Sequence, residues 1–266
     1  MKLSIITVNL NNAAGLEKTA ESIVNQTFTD FEWIVIDGGS TDGSVDVIRK
    51  YEDRITYWVS EKDSGIYNAM NKGVKVAKGE YLQFLNSGDC LAETTILENV
   101  FASPCHNEVL YGDTLFTYNN KVIGSRMFPD ILTLNYYISS SLCHQAMFVP
   151  KALHEKYPFN EGLRIASDWE FFFKLLMESA EFRHLPFFVC LFDTGGISQN
   201  QSSHNIQYEE RIRIINQIVP EFILREYKEG RTGQLLCLRR KYRLYSKFIT
   251  LSVIIMNWFD SFVCKK

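Results

Sequence analysis

The chain has no Cys-x-x-Cys pair; its six cysteines (Cys90, Cys105, Cys143, Cys190, Cys237 and Cys264) stand singly along 266 residues. Scattered thiols argue against a zinc framework and a disulfide scaffold, and fit a reducing compartment. Net charge is also small. Twenty-eight Lys and Arg against 31 Asp and Glu leave −3, so no global field favours nucleic acid. There is no run of roughly 18 uncharged apolar residues, the length a membrane-spanning helix needs. The apolar stretch Leu3–Val8 is too short for a signal peptide and reads as a strand. A dinucleotide fold would need Gly-x-Gly-x-x-Gly at the first strand-to-helix junction, where this chain has Thr7-Val-Asn-Leu-Asn-Asn-Ala; no P-loop lysine motif occurs either. Internal repeats and low-complexity linkers are absent as well.

What the chain does have, up to about residue 102, is a strand–helix rhythm. Strands are expected at Leu3–Val8, Phe31–Ile36, Ile55–Val59 and Tyr81–Leu85, and helices at Leu16–Val24, Val45–Tyr51 and Ile66–Val76. Such alternation implies parallel βαβ units with right-handed crossovers. After Val109 the pattern changes. Val109–Phe116 and Lys121–Phe128 read as antiparallel strands joined at Tyr118-Asn-Asn, and His144–Val149 and Phe187–Phe192 read as further strands. An amphipathic helix is expected at Trp169–Met177, and helix again from His204 onward. The fold class is therefore α/β, with a mixed, mainly parallel sheet flanked by helices.

The most telling stretch is Glu80-Tyr-Leu-Gln-Phe-Leu-Asn-Ser-Gly-Asp89, an apolar run that stops at a polar turn ending in a carboxylate. In open α/β sheets ligands bind beyond the carboxyl ends of the strands. Asp89 is thus placed to hold a hard divalent cation against a phosphate; closing the turn or capping the next helix is the competing role. Asp37 ends the second strand, where it can bond a ribose or base, or open an Asx turn into Gly38-Gly39-Ser40. The third strand leads to Asp63. Three carboxylates brought to one edge repel unless a cation or ligand donors neutralise them. The helix opening at Ser64-Gly65 aims free N–H groups at that edge. Lys72, beside Asn71 two turns along, can reach an anionic ligand or be a solvated helix residue.

Several long motifs occur in order: Ser4-Ile-Ile-Thr-Val-Asn9, the segment from Gln26 to Gly43, Glu61 to Gly73, Gly79 to Asp89, and Ala166-Ser-Asp-Trp-Glu-Phe-Phe172. Together they resemble glycosyltransferase family 2, inverting GT-A-fold enzymes that use nucleotide-diphosphate sugars. The resemblance implies that Thr7, Val8, Asn9 and Asp37 hold a nucleoside, usually uridine, with Asp63 nearby. Asn71, Lys72, Asn86, Ser87 and Gly88 join the donor-binding set. Asp89 corresponds to the last carboxylate of the metal motif, binding Mn²⁺ or Mg²⁺, and Asp168 to the catalytic base. The family often shows two or three acids where this chain has Asn86-Ser-Gly-Asp89. Diphosphate oxygens and water would then supply more of the metal's ligands.

The chemistry asks for the same parts. Breaking a glycosyl–phosphate bond leaves a diphosphate whose growing charge needs a Lewis acid, and a hard ion with oxygen ligands suits it. The acceptor hydroxyl is a poor nucleophile until a positioned base takes its proton. Asp168, opening the aromatic helix, can do so or can cap that helix, and Glu170 is the second candidate. His144 and Gln145 precede a strand and can touch the donor phosphates or the acceptor; a buried structural histidine is the alternative. The polar loop from Asp193 to His204 is of the kind that closes over substrate, which would carry His204 to the diphosphate or the metal.

Residues 1–220 are expected to form the GT-A domain and 221–266 a helical extension. In that extension Arg239, Arg240, Lys241, Arg243 and Lys247 precede an apolar run containing Leu251, Ile254, Trp258, Phe259 and Phe262. A basic segment followed by an aromatic one suits an anionic membrane surface; packing on the domain or on a second subunit is the alternative. The expectation is a cytoplasmic enzyme, peripheral on the cytoplasmic face of the membrane, that moves a sugar from a UDP-linked donor to a glycan or lipid-linked acceptor in surface polysaccharide synthesis. Nucleic acid is not among the expected partners. A non-catalytic nucleotide-sugar-binding scaffold is the second reading.

Overall fold

β1 (Leu3–Asn9), buried along its whole length, and β2 (Phe31–Asp37), buried from Glu32 onward, form the centre of the fold. Such strands are covered on both faces and carry continuous apolar runs. In the computed structural model, residues 1–132, 136, 140–195 and 201–219 are described, without the side chains of residues 201, 202 and 204. The chain divides into two units, Met1–Ile131 with Leu142–Gln207, and Leu132–Ser141 with Tyr208–Lys266. No described helix is long and apolar enough to cross a membrane.

The first unit holds a mixed sheet. Its other strands are β3 (Tyr57–Ser60), β4 (Tyr81–Phe84), β5 (Cys90–Leu91), β6 (Val109–Tyr118), β7 (Lys121–Arg126), β8 (Met147–Pro150) and β9 (Phe182–Asp193). Their order is β3-β2-β1-β4-β8-β6-β9-β5, with β7 on β6. The strands β3, β2, β1 and β4 run parallel, β8 is antiparallel to both β4 and β6, and β9 is parallel to β6. One edge therefore collects the carboxyl ends of β1 to β4 and β9 together with the start of β8.

Helices α1 (Ala13–Val24) and α2 (Ser44–Lys50) follow β1 and β2, and α3 (Ile66–Val76) follows β3. Leu16, Ala20 and Ile23 of α1 repeat at helical spacing and pack with Leu3, Ile5, Trp33 and Val35. Residues of β1 alternate faces, so Ile6 points the other way and meets α3. A Cβ on Gly73 of α3 would lie 2.4 Å from Ile6 Cγ2, so the missing side chain sets that close approach. Short α4 (Ile96–Val100) and α5 (Lys151–Lys156) and the aromatic α6 (Ser167–Met177) complete the unit's packing.

The second unit is described from Tyr208 as the later part of α7 (Gln201–Ile218), with Ile214, Ile215 and Val219 buried. Residues 221–266, with the basic and apolar tail, lie outside the described residues.

Two sequence expectations are corrected. His144–Ala146 is a single turn of 3-10 helix, and β8 begins only at Met147. The strand expected at Phe187 starts at Phe182, because β9 pairs with β6 from Val109 onward. The two-residue strand β5 and helices α4 and α5 carry too short a pattern to be read as elements. The Tyr118-Asn-Asn turn is as expected: Asn119 and Asn120 take φ of 48° and 63°, values asparagine tolerates and a tight hairpin requires.

Candidate active site

The turn after β4 is fixed from below. Leu85 N–H bonds Ile6 O at 3.0 Å and Ser87 N–H bonds Val8 O at 3.1 Å, extending the β1–β4 ladder into the loop. Gly88 takes φ 106°, a region that favours glycine, and donates to Thr19 Oγ1 of α1 at 3.0 Å. Asn12 caps α1 through Gly15 N–H and donates from Nδ2 to Ser87 O. The loop that carries Asp89 is therefore held by β1 and α1 together.

Asp89 is 5% exposed. Its Oδ1 accepts from Asp193 N–H at 2.9 Å and its Oδ2 from Gln145 Nε2 at 3.0 Å. Burial pushes its carboxyl up to about 6 against the pull of those two donors, and the charge of Asp193 adds to the rise. Asp193 ends β9 and comes close to the loop: a Cβ on Gly88 would lie 3.4 Å from Asp193 Oδ2. Asn86 Oδ1 is buried with no partner among the described residues.

Asp37 is fully buried and satisfied. Oδ1 accepts from Asn9 Nδ2 (2.7 Å) and Ser40 Oγ (2.6 Å); Oδ2 accepts from Ser40 N–H (2.9 Å) and Ser60 Oγ (2.6 Å). Desolvation works against the charge, but these donors together outweigh it and hold the carboxyl below its ordinary value. Asp63 lies three residues past β3, with Oδ1 at 2.6 Å from Lys72 Nζ, which also pairs with Glu61. A Cβ on Gly38 would be 3.3 Å from Asp63 Oδ2, so these groups share the edge with Asp37.

The three acids thus reach one edge, yet protein groups satisfy them one at a time. That corrects the expectation that only a cation or ligand could do so. Asp89 is left with a carboxyl raised by burial, and its close acidic neighbour is Asp193. Sequence reading placed Asp193 at the start of a loop; its position at the end of a strand parallel to β6 is the signal that brings it here.

Other expected donor residues divide. Asn9, Asn86, Ser87 and Gly88 line the edge. Thr7 is fully buried, its Oγ1 accepting from Trp33 Nε1 at 3.0 Å, and Val8 is 6% exposed. Asn71 turns away: its amide binds both Phe159 N–H and Phe159 O, and Glu161. It ties α3 to the loop before α6.

Asp168 stands in the first turn of α6, but it does not cap that helix, whose cap residue is Ala166. Its Oδ2 faces His144 Nδ1 at 3.0 Å. Its Oδ1 accepts from its neighbour Trp169 N–H and lies 3.2 Å from Tyr67 Oη. Burial, then the Asp168 charge, lifts the Tyr67 phenol well above its usual range, so the hydroxyl keeps its proton. Tyr67 escaped the sequence reading because nothing in Gly65-Ile-Tyr-Asn distinguishes it from a core aromatic. Glu170 is 4% exposed and paired with Lys174, a structural position. The His204 side chain lies outside the described residues.

His144 and Gln145 reach the same edge because β8 runs antiparallel to β4, so the turn before β8 sits beside the turn after β4. A carboxylate only accepts, so His144 Nδ1 donates to Asp168, and Nε2 accepts from Asn86 Nδ2 at 3.3 Å. Both ring nitrogens thus have partners within the protein.

Two carboxylates and an unpartnered amide oxygen meet at the Asp89 loop. No group of three or more His, Cys, Asp or Glu among the described residues is arranged to hold a metal ion. A hard ion such as Mg²⁺ commonly uses one or two carboxylates and fills its shell with water and substrate phosphates. The oxygen donors present fit that kind of site.

Known proteins supply an independent comparison. The sequence model described as Glycosyl transferase family 2 matches residues 4–128. The PGL/p-HBAD biosynthesis glycosyltransferase of Mycobacterium tuberculosis and Mycobacterium bovis is 35% identical over 175 residues, covering 63% of this chain and 67% of the relative. Among solved structures, S. aureus TarS in complex with UDP-GlcNAc superposes with TM-score 0.63 at 23% identity, over 73% of this chain and 58% of that one. Against a longer TarS chain the match spans 39% of the neighbour. A mannosyltransferase from Pyrobaculum calidifontis, in complex with GDP-Man and Mn²⁺, gives TM-score 0.55 at 15% identity, over 100% of this chain and 88% of the neighbour. These likenesses establish the GT-A fold.

Proposed function

From the premise that this chain belongs to glycosyltransferase family 2, we propose that it transfers a sugar, with inversion, from a UDP-linked donor to a glycan or lipid-linked acceptor. The observation that carries this reading is the pair of acids at one sheet edge, Asp89 in the β4 turn and Asp168 at the head of α6, contacted by adjacent residues of one turn. UDP is favoured by the TarS complexes with UDP-GlcNAc and UDP, although GDP-Man is bound in the archaeal neighbour. The glycan or lipid acceptor is favoured by the relatives' names, which include chondroitin synthase. Surface polysaccharide synthesis on the cytoplasmic face of the membrane is part of the same proposal, supported by the basic and aromatic pattern after Leu235.

In this scheme Asp89 would hold a divalent cation, with Asp193 and Asn86 Oδ1 as further oxygen donors at the same loop. When bound, the ion neutralises charge developing on the leaving diphosphate. The Asn86–Gly88 turn and the Asn9–Asn12 segment cradle the donor. Asp168 takes the proton of the acceptor hydroxyl as that oxygen bonds to the anomeric carbon from the face opposite the diphosphate. The carbon–oxygen bond to the diphosphate breaks, its electron pair leaves with the nucleotide, and one displacement inverts the centre. Tyr67 Oη stands 3.2 Å from that carboxylate.

A panel of nucleotide sugars with Mn²⁺ or Mg²⁺, scored for release of nucleoside diphosphate, tests the scheme. Release is expected from a UDP-sugar and is expected to stop on chelation. Protection from unfolding by UDP and Mn²⁺ with no turnover of any donor would favour the non-catalytic scaffold instead.

A further inference from the structure

The transfer scheme assigns no separate task to the dipeptide His144-Gln145, yet it touches both acids on which the scheme depends. Gln145 Nε2 reaches Asp89 Oδ2, and His144 Nδ1 reaches Asp168 Oδ2. The turn that carries them is firmly seated. Ala146 N–H closes it on Cys143 O at 3.0 Å, Gln145 O accepts from Gln83 Nε2 of β4 at 2.8 Å, and Gln145 and Ala146 are buried. The far side of the imidazole meets Asn86, in the loop anchored by β1 and α1. A rigid ring therefore stands between the carboxylate at the head of α6 and the loop that leads to Asp89.

Resting on the reading of Asp168 as the base, we propose that His144 is a positioning residue: it braces the Asp168 carboxylate against the Asn86–Asp89 loop, keeping the proton acceptor in register with the donor diphosphate. Two other roles for the ring are disfavoured by the same contacts. With Nδ1 on Asp168 and Nε2 on Asn86, the ring has no nitrogen left for a phosphate oxygen or for the acceptor hydroxyl. Where elements are joined through a side chain, as Asp168 of α6 and Asn86 of the β4 turn are through His144, catalytic geometry is held no better than that side chain allows. A displacement of about 1 Å at a reacting group can cost on the order of 10²-fold in rate.

Three substitutions separate the contacts. His144→Asn puts an amide near the position of Nδ1, His144→Gln puts one near that of Nε2, and His144→Phe keeps the ring without nitrogens. Turnover is read as nucleoside diphosphate released from the donor found active in the panel, and donor binding as KM together with thermal protection by UDP and Mn²⁺. His144→Phe and His144→Gln are expected to lose on the order of 10²-fold in kcat with donor KM and protection unchanged, and His144→Asn to recover at least about tenfold over His144→Phe. The proposal is overturned if His144→Phe keeps turnover within about threefold of wild type, if Asn rescues no better than Gln, or if donor KM rises in step with the fall in kcat. Should His144→Phe fail to fold, the comparison of Asn with Gln decides. Asp168→Asn is measured alongside. If it retains turnover, the reading of the base fails and this inference with it; if it is inactive while His144→Phe is normal, only this inference fails.

Discussion

Asp37 shows how a residue can belong to a site without being free to bind in it. All four acceptor positions of its carboxylate are occupied by Asn9, Ser40 and Ser60. Its work is to fix the loop after β2, so its loss is a matter of stability before it is one of binding. Asp37→Asn exchanges an acceptor for an N–H that faces other donors, and leaving a buried group unsatisfied costs about 1–3 kcal/mol. Urea unfolding without nucleotide should show that loss; a variant as stable as wild type that only binds donor more weakly would mean Asp37 contacts the ligand directly. Asp89 is the opposite case, a buried carboxylate with two donors and a carboxyl that burial raises to about 6.

The elements explain which parts of the molecule were legible in the sequence. β1, β2 and α1 to α3 declare themselves through period and turn chemistry, and the parallel order follows from right-handed crossovers. The second half was harder, because β8 and β9 find partners from distant parts of the chain and β5 is only two residues long. For the same reason the contacts of His144, Gln145 and Asp193 could not be read: they depend on β8 opposing β4 and on where β9 ends. The α3–β1 contact is a place where local propensity and packing disagree. Ala at Gly73 should favour a helix by about 1 kcal/mol, but its Cβ would overlap Ile6. Overpacking of this kind costs about 1–3 kcal/mol, so Gly73→Ala should lower the urea midpoint. A higher midpoint would mean that α3 shifts freely on the sheet.

For the first unit as a whole, one buried histidine contributes to acid sensitivity. His154 is 1% exposed, stacks on Phe171 with ring centroids 4.2 Å apart, and has no hydrogen-bond partner for either nitrogen among the described residues. Burial pulls its pKa down to about 3. Unfolded, the ring would titrate near 6.5. Between those values the unfolded chain binds a proton that the folded one does not, so stability declines as pH falls from about 6.5 towards 3, by up to about 1.4 kcal/mol per pH unit. His154→Phe should remove that part of the slope, seen as a flatter dependence of melting temperature on pH. An unchanged slope would place the acid sensitivity elsewhere.

The same unit carries the catalytic account, which needs two acids at one edge with different tasks: one side gathering the donor, the other accepting the proton. The most direct test compares Asp89→Asn and Asp168→Asn for nucleoside diphosphate release and for thermal protection by UDP with Mn²⁺. Asp168→Asn is expected to keep the protection and lose turnover, and Asp89→Asn to lose both. Near-normal turnover by folded Asp168→Asn would contradict the account.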